Sequence, residues 1–175
     1  MKINKVKNFE GIFLIKTKKL KDSRGFFMRG FCRKILKNNK INFDIKQINF
    51  SYNQEKYTLR GFHYQKNPYG ENKIIKCMNG SVLLVLLNIN NKSKKYLNHK
   101  KILLNEKDSK FVHISKDYAT AFITLKPRTL MIYYMSNYYK AKKSFGIKYN
   151  DPKLRIKWPK KPKIISKKDN NFKPL

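Results

Sequence analysis

KIIKCMNGSVLLVLLNI (73–89) decides the fold. Two β-branched and aliphatic runs flank Asn79-Gly80, the dipeptide that most strongly marks a tight turn between strands. The pattern predicts a hairpin over 74–88. Immediately upstream, LRGFHYQKNPYGENK (59–73) gathers Arg60, His63, Gln65 and Lys73 on what reads as a loop feeding that hairpin. A cation, an imidazole, an amide and a second cation beside a rigid element suit the holding of a reactive group. Taken alone, the stretch carries little. A lone His among aromatics is more often a satisfied core residue, and Lys is everywhere in this chain.

Working outward, residues 11–20 read as a strand, KDSRGFF (21–27) as a turn and CRKILKNN (32–39) as one short amphipathic helix. DIKQINFSY (44–52) alternates, so Ile45, Gln47 and Asn49 share one strand face. An amide pair there suits a polar ligand or a satisfied barrel interior. A polar loop (90–100) precedes two strands, KILLN (101–105) and KFVHIS (110–115), around a turn. TAFITLK (120–126) and TLMIYYM (129–135) predict a second hairpin across Pro127. A loop (137–144) carries Tyr138 and Tyr139. LRIKWP (154–159) and KIISKKD (163–169) complete the ordered chain, and NNFKPL (170–175) is expected to fray. Many short strands, frequent turn signals and one weak helix predict an all-β sandwich or barrel. No internal repeat or linker divides residues 1–175, so one domain is expected.

Composition narrows the function classes. The chain is 41% hydrophobic and 14% aromatic, too apolar for a disordered segment. Its longest strongly apolar run, Val82–Leu87, is far too short to span a bilayer, and GIFLI near the start is too short for a secretory signal. Cys32 and Cys77 have no paired spacing. These features predict a soluble, cytoplasmic protein. The net charge is +32, yet only six of the 42 cations are Arg. Lys is spread over the whole chain, densest in the loops and near the C-terminus, alongside abundant Asn and Ile, the signature of AT-rich coding bias. No nucleic-acid-binding module is visible, so no specific nucleic acid is expected as partner.

Several stretches together resemble the dTDP-4-dehydrorhamnose 3,5-epimerase family. They are DSRGFF (22–27), QINFS (47–51), LRGFHYQ (59–65), Lys73, IYYMSNYY (132–139), NDPKLRIKWP (150–159) and SKKD (166–169), in the family's order and spacing. The resemblance spans roughly residues 6 to 170. It implies a cupin-type jelly roll (double-stranded β-helix) with one or two short helices, a nucleotide-sugar substrate, and a homodimer that exchanges N-terminal strands. It also implies a role in bacterial deoxysugar and surface-polysaccharide synthesis. The reaction it implies inverts C3, C5 or both in a nucleotide-linked 4-keto-6-deoxy sugar. That needs a base, an acid on the opposite face and a group that stabilises the enolate.

The resemblance assigns roles residue by residue. His63 is the base and Asp169 the partner that fixes its tautomer. Tyr133 is the opposite-face donor, eased by neighbouring cations, and Lys73 lies beside the C4 oxygen. Arg60 and Lys168 contact diphosphate or sugar, Arg24 reaches the nucleotide, Tyr139 stacks on the base, and Gln47 and Asn49 supply hydrogen bonds. Metal-binding cupins carry two His two positions apart plus a carboxylate. Here the equivalent stretch is His63-Tyr64-Gln65, so neither metal nor other cofactor is expected. The chain departs from the family pattern at Thr120, where relatives have a His that lines the site. Arg29, Leu84 and Ser144 replace acidic residues. A sugar-nucleotide-binding cupin without turnover, or a polyanion-binding β protein, are the alternatives.

Overall fold

The computed structural model describes residues 1–175. In chain order its strands are β1 (Lys2–Lys5), β2 (Ile12–Lys16), β3 (Lys19–Asp22), β4 (Gly25–Met28), β5 (Gln47–Asn53), β6 (Thr58–Gln65) and β7 (Lys73–Asn79). They continue as β8 (Ser81–Asn88), β9 (His99–Asn105), β10 (Lys110–Ile114), β11 (Tyr118–Thr124), β12 (Thr129–Met135), β13 (Ser144–Gly146) and β14 (Ile164–Ile165). The two helices are short, α1 (Arg33–Asn38) and α2 (Lys167–Asn170). The predicted helix is α1. The strand expected over 11–20 breaks into β2 and β3, and KDSRGFF is half of a β3–β4 hairpin. The first half of the stretch read as a loop before Lys73 is a strand, β6.

The strands form a jelly roll. One sheet runs β1-β2-β10-β7-β12-β5, the other β13-β6-β11-β8-β9, with β14 alongside β6. Every pairing is antiparallel except β14 with β6. From β5 to β8 the chain changes sheet at each connection, and it does so again from β9 to β13.

This overturns two expected hairpins. β7 and β8 lie in opposite sheets, as do β11 and β12. The apolar runs on either side of Asn79-Gly80 meet face to face through side chains, not edge to edge through backbone. Ile75 and Cys77 from one, and Val82, Leu84 and Leu86 from the other, share the central core with Val112, Phe122 and Met131. The turn is held from outside. Gly80 N–H donates to Glu106 Oε2 at 2.6 Å, and Glu106 N–H returns a bond to the Gly80 carbonyl at 3.0 Å. At φ +81° and with Thr129 pressed against it, Gly80 tolerates no side chain. The turn between KILLN and KFVHIS likewise joins opposite sheets.

Both sheets are covered over part of their outer faces. Leu36 of α1 packs with Ile41, Phe43, Ile74 and Phe111 over the first. Phe62, Val85, Leu87 and Ala119 of the second sit beneath Ile147, Leu154 and Trp158. Complete burial of a side chain such as Phe62 contributes roughly 2–3 kcal/mol. Ile45 belongs to the α1-side cluster, before β5 begins, so it does not share the face of Gln47 and Asn49. The outward face of edge strand β5 stays open, with Ile48, Phe50 and Tyr52 exposed, as do Leu20, Phe26 and Phe27 on the β3–β4 hairpin.

The chain's end is docked instead of frayed. Phe172 packs its ring edge-on to His63 at 5.9 Å and lies so close over Gly146 that no side chain fits there. Leu175 N–H donates to Asp151 Oδ2 at 2.6 Å. An aromatic ring and a buried carboxylate hold a segment whose composition alone reads as tail.

Candidate active site

The site is built on an irregularity in β6. His63 stands opposite Thr120 of β11, but Arg60 stands opposite Phe122, so Gly61 and Phe62 together face the single residue Ala121. That extra residue is a β-bulge, which re-aims side chains. Directly opposed residues of an antiparallel pair point to the same face, and Thr120 and Phe122 share the inner one. Arg60 and His63 therefore both face inward, which strict alternation forbids. Gly61 makes this possible. Its φ is +111°, and an added Cβ would collide with the Thr120 carbonyl and stand 2.7 Å from Ala121 Cα.

Asp169 arrives from the far end of the chain. Parallel pairing of Ile164 and Ile165 with Thr58 and Leu59 lays the last segment along β6. Ser166 then caps α2 by accepting Asp169 N–H at 3.0 Å, the usual work of a serine at a helix start. The carboxylate so placed meets two groups of the bulge. Oδ1 is 2.8 Å from His63 Nε2, and Oδ2 accepts Gly61 N–H at 2.9 Å. Burial raises the Asp169 pKa, but the bonds from His63 and Gly61 outweigh it and leave the carboxyl below its ordinary value. A carboxylate on Nε2 fixes the tautomer and leaves Nδ1 as the free nitrogen.

Lys73 opens β7 and is buried. Its Nζ donates to Thr120 Oγ1 at 3.1 Å and to the His63 carbonyl at 3.3 Å, and pairs with Glu71 at 3.4 Å. Burial lowers its pKa, partly offset by Glu71. Thr120 thus bonds the lysine at the position where a His was expected from the resemblance. Gln65 and Glu71 complete this buried group, Gln65 Nε2 donating to Glu71 Oε2 at 2.6 Å.

Across the inner face, Tyr133 of β12 lies beside Asn49 and Ile75 in register. Burial drives its phenol well above the ordinary value, and the Arg60 guanidinium and Ser51 hydroxyl offset that only in part. The expectation that nearby cations would ease its ionisation is therefore corrected. Tyr133 is held protonated because desolvation of a phenolate outweighs one guanidinium. Arg60 is anchored, with Nε on Asn53 Oδ1 at 2.8 Å. Gln47 Oε1 accepts the Tyr139 backbone N–H, while the Tyr139 ring and Asn49 are exposed at the rim.

Two expected residues are not drawn into the cluster. Arg24 is at the tip of the β3–β4 hairpin, 88% exposed in its side chain and paired with Asp22 at 2.6 Å. Its guanidinium is occupied locally, in a hairpin that touches neither main sheet by strand pairing. Lys168 precedes Asp169 on α2 but is exposed, because adjacent residues of a helix point to different faces. Of the departures, Leu84 is buried in the central core, Arg29 is exposed, and Ser144 pairs with Gln65 on β13. A carboxylate at the Leu84 position without a partner would cost several kcal/mol where leucine contributes about 2.

Glu71, Ser51, Asn53, Ser166 and Phe172 went unread in the sequence. Ser51 and Asn53 continue the period-two face of Gln47 and Asn49 and were legible there. Glu71 was not, since a lone Glu in a polar stretch has no pattern. A groove of about 1090 Å³ lies elsewhere, between the β1–β2 connection and residues 88–95, and none of His63, Lys73, Tyr133 and Asp169 lines it. No three His, Cys, Asp or Glu are grouped to hold a metal ion.

Comparison with known proteins gives a consistent result. The family model described as dTDP-4-dehydrorhamnose 3,5-epimerase matches residues 7–175. An enzyme of that name from Sinorhizobium fredii is 29% identical over 159 residues, covering 90% of this chain and 82% of the relative. The crystal structure of the Bacillus anthracis dTDP-4-dehydrorhamnose 3,5-epimerase with TDP and PPi bound superposes with a TM-score of 0.95. It is 31% identical and covers 99% of both chains. The Legionella pneumophila dTDP-6-deoxy-D-glucose-3,5-epimerase in complex with dTDP-4-keto-L-rhamnose gives 0.92 at 29% identity, covering 99% of this chain and 92% of that one.

Proposed function

The chain belongs to the dTDP-4-dehydrorhamnose 3,5-epimerase family, and on that premise we propose how its residues carry the reaction. It is an isomerase that inverts C3, C5 or both in a dTDP-linked 4-keto-6-deoxy sugar, in deoxysugar synthesis. The observation that carries the reading is the His63–Asp169 contact of 2.8 Å on the same inner face as Lys73 and Tyr133.

The 4-keto group acidifies the C–H bonds at C3 and C5. His63 Nδ1 removes the proton, and Asp169 stabilises the imidazolium that results. The enolate oxygen at C4 is met by the Lys73 ammonium, a charge held in a water-poor setting where it counts most. Tyr133, kept protonated by burial, returns a proton from the opposite face. Arg60 binds diphosphate or sugar, Tyr139 stacks on the base, and Gln47 and Asn49 hydrogen-bond the substrate. No metal takes part, because the cupin ligand positions offer one imidazole and an amide. Thr120 lines the same pocket.

The uncovered apolar residues of β5 and the β3–β4 hairpin support a homodimer, in which Arg24 and Lys168 would gain the substrate contacts they lack in a single chain. No helix is long and apolar enough to cross a membrane. Two unpaired cysteines fit the reducing cytoplasm. Incubation with dTDP-4-keto-6-deoxyglucose in deuterium oxide, followed by proton NMR, tests the activity. Deuterium entering C3 or C5 with inversion is expected. Tight binding without exchange would instead identify a sugar-nucleotide binder, the reading favoured by Thr120 occupying Lys73.

A further inference from the structure

Glu71 and Lys73 are both almost completely buried, at 6% and 5% exposure. An ammonium has three N–H bonds to satisfy. Lys73 has three acceptors: Thr120 Oγ1, the His63 carbonyl and Glu71 Oε1, at 3.1, 3.3 and 3.4 Å. Glu71 is the only carboxylate in ion-pair contact with it. The carboxylate is itself held. Its Oε2 accepts Gln65 Nε2, and Gln65 also bonds the Tyr69 and Tyr138 carbonyls and Lys140 N–H. Glu71 is therefore fixed through one amide to two loops, at Tyr69 and at Tyr138–Lys140.

A lysine this buried loses its proton readily unless a negative charge opposes the desolvation. The reaction needs the ammonium, since a neutral amine does little for an enolate. A substrate oxygen that approaches Lys73 can displace a neutral acceptor, the Thr120 hydroxyl or the His63 carbonyl, at modest cost. Displacing Glu71 would leave a buried carboxylate unpaired. Resting on the epimerase reading above, we propose that Glu71 is a positioning residue: it keeps Lys73 cationic and aims the ammonium at the C4 oxygen. It acts only through Lys73 and touches no reacting atom. The other titratable or charged side chains on this inner face are Arg60 and His63 of β6, with Asp169 behind His63, and Tyr133 of β12. β11 presents Thr120 and β5 presents Gln47, neither of which titrates.

The test follows the Lys73 proton directly. In protein labelled with carbon-13 at lysine Cε, the Lys73 signal is the one missing from a Lys73→Met variant. Glu71→Gln, nearly isosteric, is expected to lower the Lys73 titration midpoint by about 1–3 pH units, the usual effect of losing a contact charge. Glu71→Asp keeps the charge at a longer reach and is expected to retain most of the midpoint. In the exchange assay, the alkaline limb of the Glu71→Gln kcat profile should move to lower pH by the same amount, with KM within about threefold and the rate recovering as pH falls. An unmoved Lys73 midpoint in Glu71→Gln overturns the proposal, as does a rate loss that is the same at every pH. A wild-type protein with no exchange defeats the epimerase reading, while the NMR titration still decides whether Glu71 holds the Lys73 charge.

Discussion

Arg60 and His63, three positions apart on one strand, face the same side of their sheet. The irregularity at Gly61 and Phe62 allows that, and it needs Gly61. Gly61→Ala combines a positive φ with a collision against the β11 backbone, for a loss on the order of 3 kcal/mol in stability. Urea denaturation at neutral pH measures it. An unchanged midpoint would show that the strand can absorb the side chain.

The two proposed proton-transfer residues give different signatures. His63→Ala is expected to abolish deuterium exchange at every centre, a loss of about a hundred- to ten-thousandfold. Tyr133→Phe leaves the base in place, so exchange continues while inversion at C5 fails. Asp169→Asn is expected to lower kcat more than it changes KM. Equal loss of exchange in the His63 and Tyr133 variants, with binding intact, contradicts the two-face assignment.

His113 predicts an acid-sensitive fold. It is buried between Phe13 and Phe43, with Nδ1 on the Gly11 carbonyl at 3.1 Å, and burial pushes its imidazole down to about 4. The native state keeps it neutral, while the unfolded chain takes up a proton below the ordinary value of 6.5. Its contribution is therefore complete above pH 6.5 and declines as pH falls towards 4, by about 3 kcal/mol. Asp169, with a lowered pKa, adds a second loss only below its ordinary 3.8. Urea midpoints at pH 7 and 4.5 should differ accordingly, and His113→Leu should flatten that interval. A wild-type midpoint equal at both values counts against this account.

The apolar side chains left open on β5 and the β3–β4 hairpin predict a dimer in solution. Light scattering at micromolar concentration is expected to give twice the chain mass of 21.0 kDa. Phe27→Asp on the hairpin, 66% exposed in the single chain, should shift the mass towards one copy. A monomeric wild type sinks the prediction.

Charge should not confer sequence recognition. Duplex DNA is expected to bind weakly, without sequence preference, and to release at moderate salt. Sequence-specific binding that persists at physiological salt would revive the polyanion reading.

Much of this arrangement was legible beforehand, for a physical reason in each case. The strand runs follow from side-chain periodicity, which is local. The His63–Asp169 pair followed from resemblance, since no local rule joins residues 106 positions apart. The misread hairpins had the right turn residues. What Asn79-Gly80 could not reveal is that β8 is apolar on both faces and packs against β7 instead of pairing with it. The shared face of Arg60 and His63 was invisible because a bulge breaks the period that the reading relied on. The resemblance places Arg24 at the site, but in a single chain Asp22 holds its guanidinium.

The interleaving of the two sheets sets an order on synthesis. β2 waits for β10, β5 for β12, and β6 for β11 and then β13, so a nascent chain emerges with strand edges whose partners do not yet exist. Such edges invite pairing between neighbouring chains on the ribosome. β5 and β6 hold no lysine themselves, but Lys46, Lys56 and Lys66 flank them and repel those neighbours while their partners are awaited. Charge at the flanks of strands thus shields the polypeptide during the interval when it is still being made.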